Sequence, residues 1–97
     1  MGKSKSTGGK MRASHILVQK HSHLLKIMEN LEAGQKFDKL AREFSECPSK
    51  NKGGDLGYFI RGKMVPEFEK AVLALNVGEV SQPVKTKFGW HLIKRTA

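Results

Sequence analysis

The stretch FDKLAREFSECPSKNKGGDLG, residues 37–57, is where the fold of this chain is decided. Phe37, Leu40, Ala41 and Phe44 fall three and four apart, the stripe of a short amphipathic helix that buries one face. The next eight residues, CPSKNKGG (47–54), break that period with proline, serine, asparagine and two adjacent glycines, and read as a loop. Leu56 then opens a short apolar strand that runs to Ile60.

Working outward toward the N-terminus, Leu24, Ile27, Met28 and Leu31 line one face of a helix over residues 21–33. Gly34 follows as its C-terminal cap. Before it, RASHILVQ (12–19) is a short run of apolar and β-branched character and reads as a strand. Residues 1–10 (MGKSKSTGGK) hold too little apolar surface to pack, and are read as a flexible basic tail preceding one domain over 11–97.

Toward the C-terminus, Pro66 suits the first turn of a helix, where its missing N–H costs little. Phe68, Ala71, Val72 and Leu75 give that helix its buried face, and Gly78 centres the turn after it. Residues 80–84 are weakly strand-like, with Pro83 marking an edge or irregular position. Residues 85–88 turn the chain into a last strand, WHLIK (90–94). The order is β, α, α, β, α, β, β, with room for one more short helix, which predicts an α+β domain. Its sheet buries Ile16, Val18 and Leu92 or their alternating partners; the sequence leaves the faces open.

A chain of 97 residues is one domain, with 38% hydrophobic and 28% charged residues, the balance of a soluble globular protein. Cys47 is the only cysteine, so no internal disulfide forms. No run approaches the roughly 18 apolar residues of a membrane span, and no apolar h-region is present. The expectation is a cytoplasmic protein, or a nuclear one if the source is eukaryotic. It is expected to be a monomer that makes no membrane contact. The formal charge is +9. Setting aside Lys3, Lys5 and Lys10 removes three of those charges and leaves +6. Such an excess favours acidic partners, and weak nucleic-acid contact through those three lysines stands beside the plainer reading of a solvated basic surface.

Three stretches are more specific than periodicity alone. They are HILV (15–18), the block at 37–57, and KFGWHLIK (87–94). Together with RGKMVP (61–66) and Phe68, they resemble the parvulin family of peptidyl-prolyl cis/trans isomerases, in its single-domain, non-phosphospecific form. The resemblance runs from Arg12 to Arg95 and is densest in the spacing of Phe37, Leu40, Ala41, Ser45, Ser49, Gly53, Gly54, Leu56 and Gly57. It implies a four-stranded antiparallel sheet surrounded by helices. It also implies rotation about X–Pro bonds in peptides and unfolded proteins, with neither cofactor nor metal.

By the same resemblance, Leu56, Met64 and Phe68 form an apolar cup for the proline ring. On spacing alone ordinary core packing is the favoured reading of these residues, and the resemblance reverses it. His15 and His91 match a histidine pair on neighbouring strands that organises the site through its tautomers, or that serves only as satisfied core. Cys47 matches a position facing the prolyl bond, against the plainer reading of a loop thiol. Thr86 matches a hydroxyl that joins the histidines. His21 and His23 lie outside these motifs, and their spacing with Cys47 resembles no structural zinc site. Only Lys20 separates the first strand from the next helix, so the long basic loop of phosphate-directed relatives is missing. Lys50, Lys52 and Lys63 are expected to favour an acidic residue before proline. The other reading of the cleft is a proline-binding chaperone, or a basic ribosome- or nucleic-acid-associated module, with little turnover.

Overall fold

A computed structural model describes residues 9–97 of the chain. Strand β1 (Lys10–Val18) lies at the centre of the sheet. It pairs antiparallel with β2 (Asp55–Ile60) on one side and with β4 (Gly89–Arg95) on the other. Strand β3 (Val84–Thr86) completes the order β2-β1-β4-β3 as a short edge against β4. Three helices, α1 (His21–Glu32), α2 (Phe37–Phe44) and α3 (Pro66–Leu73), surround this sheet, as the α+β reading requires. No helix among the described residues is long and apolar enough to cross a membrane.

Both faces of the central strands are buried. On one face Ile16, Val18 and Leu92 pack against Leu24 and Ile27 of α1 and Phe37, Leu40 and Ala41 of α2. On the other, Met11, Ala13 and Ile93 pack against Phe59 of β2 and Phe68 and Val72 of α3. Successive strand side chains point to opposite faces, so each layer claims alternate residues of β1 and β4. This is why RASHILVQ reads as a nearly continuous apolar run rather than as an alternation.

Two boundaries move from their predicted places. Strand β1 starts at Lys10, whose Cα pairs with Ile60, so the last residue of the expected tail belongs to the sheet. Residues 1–8 of that tail, with Lys3 and Lys5, lie outside the described residues. The closing hairpin also shifts. Residues 84–86, expected as strand end and turn, form β3 opposite His91, Trp90 and Gly89, while Val80 makes only an isolated bridge to Lys94. Pro83 has no N–H to offer a ladder, so regular pairing begins just after it.

The loop at 47–54 contains a 3₁₀ turn, Pro48–Lys52, with proline supplying the first φ. This is the additional short helix for which the predicted order left room. Gly54 then brings the chain hard against β1: the amide of His15 donates to its carbonyl at 2.9 Å. A Cβ on Gly54 would meet the His15 carbonyl oxygen at 2.5 Å, and its φ is +88°. Only glycine tolerates both. The GG of residues 53–54 therefore fixes the loop against the strand that carries His15.

Candidate active site

His15 on β1 and His91 on β4 both face the α3 side of the sheet. In the register His15 pairs with Ile93 and Leu17 with His91, so the two histidines are diagonal neighbours. Their Nδ1 atoms are 2.9 Å apart and both rings are almost fully buried. The Nε2 of His91 lies 2.7 Å from Oγ1 of Thr86, and the amide of Phe88 donates to that same oxygen at 3.1 Å. The Nε2 of His15 is buried and has no partner among the described residues.

Proton counting orders this chain. If Thr86 donates its hydroxyl proton to His91 Nε2, then His91 Nδ1–H donates to His15 Nδ1, and only the Nε2–H of His15 goes unpaired. The reverse direction strands both the Thr86 hydroxyl proton and the His15 Nε2 lone pair. The first arrangement leaves fewer buried groups unsatisfied and is therefore the favoured one. Burial, and secondarily the charge of His91, lowers the pKa of His15 to about 4. Burial also lowers that of His91. Both rings are neutral at pH 7, as the shared contact requires.

Above the histidines opens a cleft of about 470 Å³. Leu56, Met64 and Phe68, the three expected cup residues, all line it. The register of α3 explains how: Val65 is its N-cap, Pro66 its first residue, and Phe68 the first side chain turned inward. The Phe68 ring stands perpendicular to both histidines, with centroids 5.5 Å from each. It also touches Phe59, so it belongs to the core and to the cleft wall at once. The packing reading of Phe68 therefore holds, and the same ring also lines the cleft in which the cup reading puts it.

Cys47 lines the cleft and is half-buried. Its placement comes from Ser45, whose Oγ accepts from the amides of Leu17 at 3.0 Å and of Cys47 at 3.4 Å. The amide of Glu46 donates to the carbonyl of Leu17 at 2.8 Å, so the segment is tied to the end of β1. Thr86 does not itself line the cleft; it reaches it through His91 and through the turn that carries Phe88. Of the three lysines expected near the substrate, Lys63 is on the cleft rim, together with Glu46, while Lys50 and Lys52 are exposed on the 3₁₀ turn and do not line it.

Phe88 and Leu17 also line the cleft, and neither was singled out from the sequence. The signal for Phe88 was a large aromatic in the turn before the last strand, where an exposed ring has no structural need; it is 53% exposed. Its carbonyl accepts from Gln19 Nε2 at 2.9 Å, so the two-residue link between β1 and α1 braces this turn. His21 packs on Trp90 with centroids 4.4 Å apart, and His23 packs on Phe44 at 5.7 Å. Neither enters the cleft.

The family model "Rotamase: PPIC-type PPIASE domain" matches residues 17–97. Among curated proteins, the Foldase protein PrsA of Geobacillus kaustophilus is 53% identical over 88 residues, covering 90% of this chain and 31% of that protein. The chain thus spans about a third of the length of such relatives. The solution structure of NmPin, described as the parvuline of Nitrosopumilus maritimus, superposes with a TM-score of 0.82 at 52% identity, covering 95% of this chain and all of that one. The structure of Pin from Cenarcheaum symbiosum gives 0.82 and 52%, covering 99% of this chain and 100% of the other.

Proposed function

The chain belongs to the PPIC-type, or parvulin, family of peptidyl-prolyl isomerases, and from that premise we propose that its cleft turns X–Pro bonds by binding the twisted amide without covalent chemistry. The observation that carries this reading is the convergence of Leu56, Met64 and Phe68 on one cleft directly above the neutral histidine pair.

Rotation about a peptide bond faces a barrier of about 18–20 kcal/mol, because twisting the amide costs its resonance. Each 1.36 kcal/mol of preferential binding to the twisted state gives about a tenfold rate gain, so a thousandfold effect needs only about 4 kcal/mol. The proline ring sits in the cup of Met64, Phe68 and Leu56, where water is excluded. Loss of water weakens the polar, resonance-stabilised planar amide relative to the twisted one. Phe68, held edge-on by both imidazoles, forms a rigid wall. His15 and His91 act as positioning residues, because neither presents a free basic nitrogen to a substrate in the proton arrangement above. Cys47 tunes the surroundings of the rotating carbonyl from the other lip. No step requires a cofactor or a metal.

The substrates are proline-containing segments of peptides and unfolded proteins. Lys63, which lines the cleft, favours an acidic residue next to proline, and Glu46, which also lines it, weakens that preference. In this reading the chain works as a cytoplasmic monomer (nuclear in a eukaryote). A second reading rests on the charge of +9 and does not conflict with catalysis: weak nucleic-acid contact through Lys3, Lys5 and Lys10. Loss of heparin retention after removal of residues 1–10 supports it, and unchanged retention removes those lysines from the account.

The deciding experiment is exchange NMR on a short Leu-Pro peptide. Catalytic amounts of the protein accelerate cis/trans exchange, and Met64→Ala, still folded, loses most of that acceleration. A folded wild-type protein that gives no acceleration turns the cleft into a binding groove.

A further inference from the structure

Strand β2 is an edge of the sheet: its inner side pairs with β1, and no described strand pairs with its outer side. The hydrogen bonds of β1 show which groups that edge offers. Arg12 exchanges backbone bonds with residues 96 and 97 on the β4 side, while His15, three residues on, donates to Gly54 on the other side. The odd-numbered residues of β1 therefore turn their backbone groups toward β2, and Phe59, opposite Met11, is the residue that answers them. The backbone groups of Tyr58 and Ile60 point the other way, outward in the plane of the sheet. Lys63 donates to the Ile60 carbonyl at 3.3 Å. The N–H and C=O of Tyr58 and the N–H of Ile60 are left for a partner from outside.

The side chains there are as open as the backbone: Tyr58 is 54% and Ile60 55% exposed. They stand opposite Arg12 and Lys10 of β1, on the sheet face that does not bear His15 and His91. The Arg12 guanidinium lies over the Tyr58 ring, 5.3 Å from its centroid. Neither Tyr58 nor Ile60 joins the core that α1 and α2 cover. Large apolar side chains on an open edge invite pairing, which proteins ordinarily prevent with cover or charge. The same strand also reaches the active site. Leu56 and Gly57 stand together opposite Ala13, where the register slips by one residue, and Leu56 lines the proline cleft. At about 3.3 Å per residue, Tyr58 lies only about 7 Å along the strand from Leu56.

Resting on the isomerase reading of the cleft, we propose that β2 holds an arm of the substrate: the chain flanking the proline leaves the cleft past Leu56 and adds to β2 as an outer strand, bonded to Tyr58 and Ile60. Continuity with the cleft selects this occupant over an unrelated partner. The residue before a proline is held extended by the ring that follows it, so the chain at the cleft is already close to the conformation the edge requires. Main-chain bonds give affinity with little demand on sequence, which suits an enzyme whose substrates are unfolded chains. Leu56 lines the cleft and Ile60 does not, so β2 runs away from it. The arm preceding proline pairs antiparallel with β2, and the arm following it pairs parallel. In either case the edge groups of Tyr58 and Ile60, with their side chains covering one face of the arm, favour long substrates over short ones.

The test compares, by exchange NMR with the full chain, a short Leu-Pro peptide with the same peptide lengthened by several uncharged residues before or after it. Turnover of the short peptide tests the isomerase reading alone, and the edge is read from the gain on lengthening. One extension raises kcat/KM about tenfold, the net gain of a few hydrogen bonds after the arm is ordered. It also shifts the amides of Tyr58 and Ile60, which the short peptide leaves in place, and so identifies the arm. Should the short peptide bind without turnover, the same gain appears in Kd from those shifts. N-methylation at alternate residues of the arm abolishes the gain and at the intervening residues spares it, since only every second amide faces β2. Ile60→Pro, tolerable where the N–H faces outward from an edge, lowers the gain to about threefold and leaves turnover of the short peptide unchanged. Equal values at all lengths, a gain indifferent to the position of the N-methyl groups, or unmoved Tyr58 and Ile60 amides overturns the proposal. Shifts of those amides with protein concentration alone assign the edge to a second copy of the chain and overturn it too.

Discussion

His15 and His91 meet Nδ1 to Nδ1 at 2.9 Å, a contact that admits one hydrogen between the two rings and no more. Protonating His15 at Nδ1 would place two hydrogens in that gap. The buried pair therefore resists charge, and the His15 pKa falls to about 4. Above about pH 6.5 the imidazole is neutral in both the folded and the unfolded chain, and the pair contributes its full stability. Between about 6.5 and 4 the unfolded chain binds a proton that the native ring refuses, so stability falls as the solution is acidified. The expected loss across this window is roughly 3 kcal/mol. Urea denaturation at pH 7.5 and pH 4.5 measures it. A flat profile between those values would show that the native pair titrates like free histidine.

Thr86 joins the histidines to the turn that carries Phe88. Thr86→Val keeps the shape but removes the hydroxyl, leaving His91 Nε2 and the Phe88 amide unsatisfied. Stability should drop by about 1–3 kcal/mol, while Thr86→Ser should recover most of it. Activity should fall further than stability in the valine variant, because the Phe88 lip loses its anchor. Chemical denaturation alongside exchange NMR at 25 °C separates the two effects. Equal values for the valine and serine variants would remove the hydroxyl from the account.

The helices of this fold were legible because each has one buried stripe: Leu24 and Ile27, then Phe37, Leu40 and Ala41, then Phe68 and Val72. The closing hairpin was misplaced because Val84, Lys85 and Thr86 carry no apolar alternation; pairing with β4, not pattern, makes them a strand. In the site, the cup and the histidine floor came from recognised motifs, since spacing does not separate Met64 or Phe68 from core. Phe88 was missed because its role depends on the distant Gln19 and Thr86 that hold its turn.

Gly54 offers a test of how the loop is held against β1. A methyl group there meets the His15 carbonyl oxygen at 2.5 Å in a backbone conformation that disfavours side chains. Gly54→Ala should cost about 2–4 kcal/mol, through both strain and the displaced bond to the His15 amide. Gly57→Ala is the control: its φ is +75°, but a Cβ there meets nothing within 4 Å. Its cost should stay near the backbone term alone, about 1 kcal/mol. Thermal melts of the two variants should therefore differ clearly, and coincident melts would show that the close approach at Gly54 relaxes freely.

Met64 and Phe88 flank one cleft but differ in what else they hold. Phe68 is unsuitable for a clean test, since its ring is also core and Phe68→Ala should cost about 3–5 kcal/mol of stability. Met64 is half-buried and Phe88 is exposed, so truncating either should leave the fold nearly intact. In the proposed mechanism Met64 holds the proline ring while the carbonyl rotates, so Met64→Ala should lower kcat/KM by about tenfold or more through lost contact with the twisted state. Phe88 is exposed where it lines the cleft, and in the proposed mechanism it would meet planar and twisted substrate alike. Phe88→Ala should therefore raise KM several-fold with little change in kcat, the pattern of lost uniform binding. Progress curves over a range of peptide concentrations give both constants. A kcat effect at Phe88 equal to that at Met64 would move the aromatic lip from substrate capture into the turning step itself.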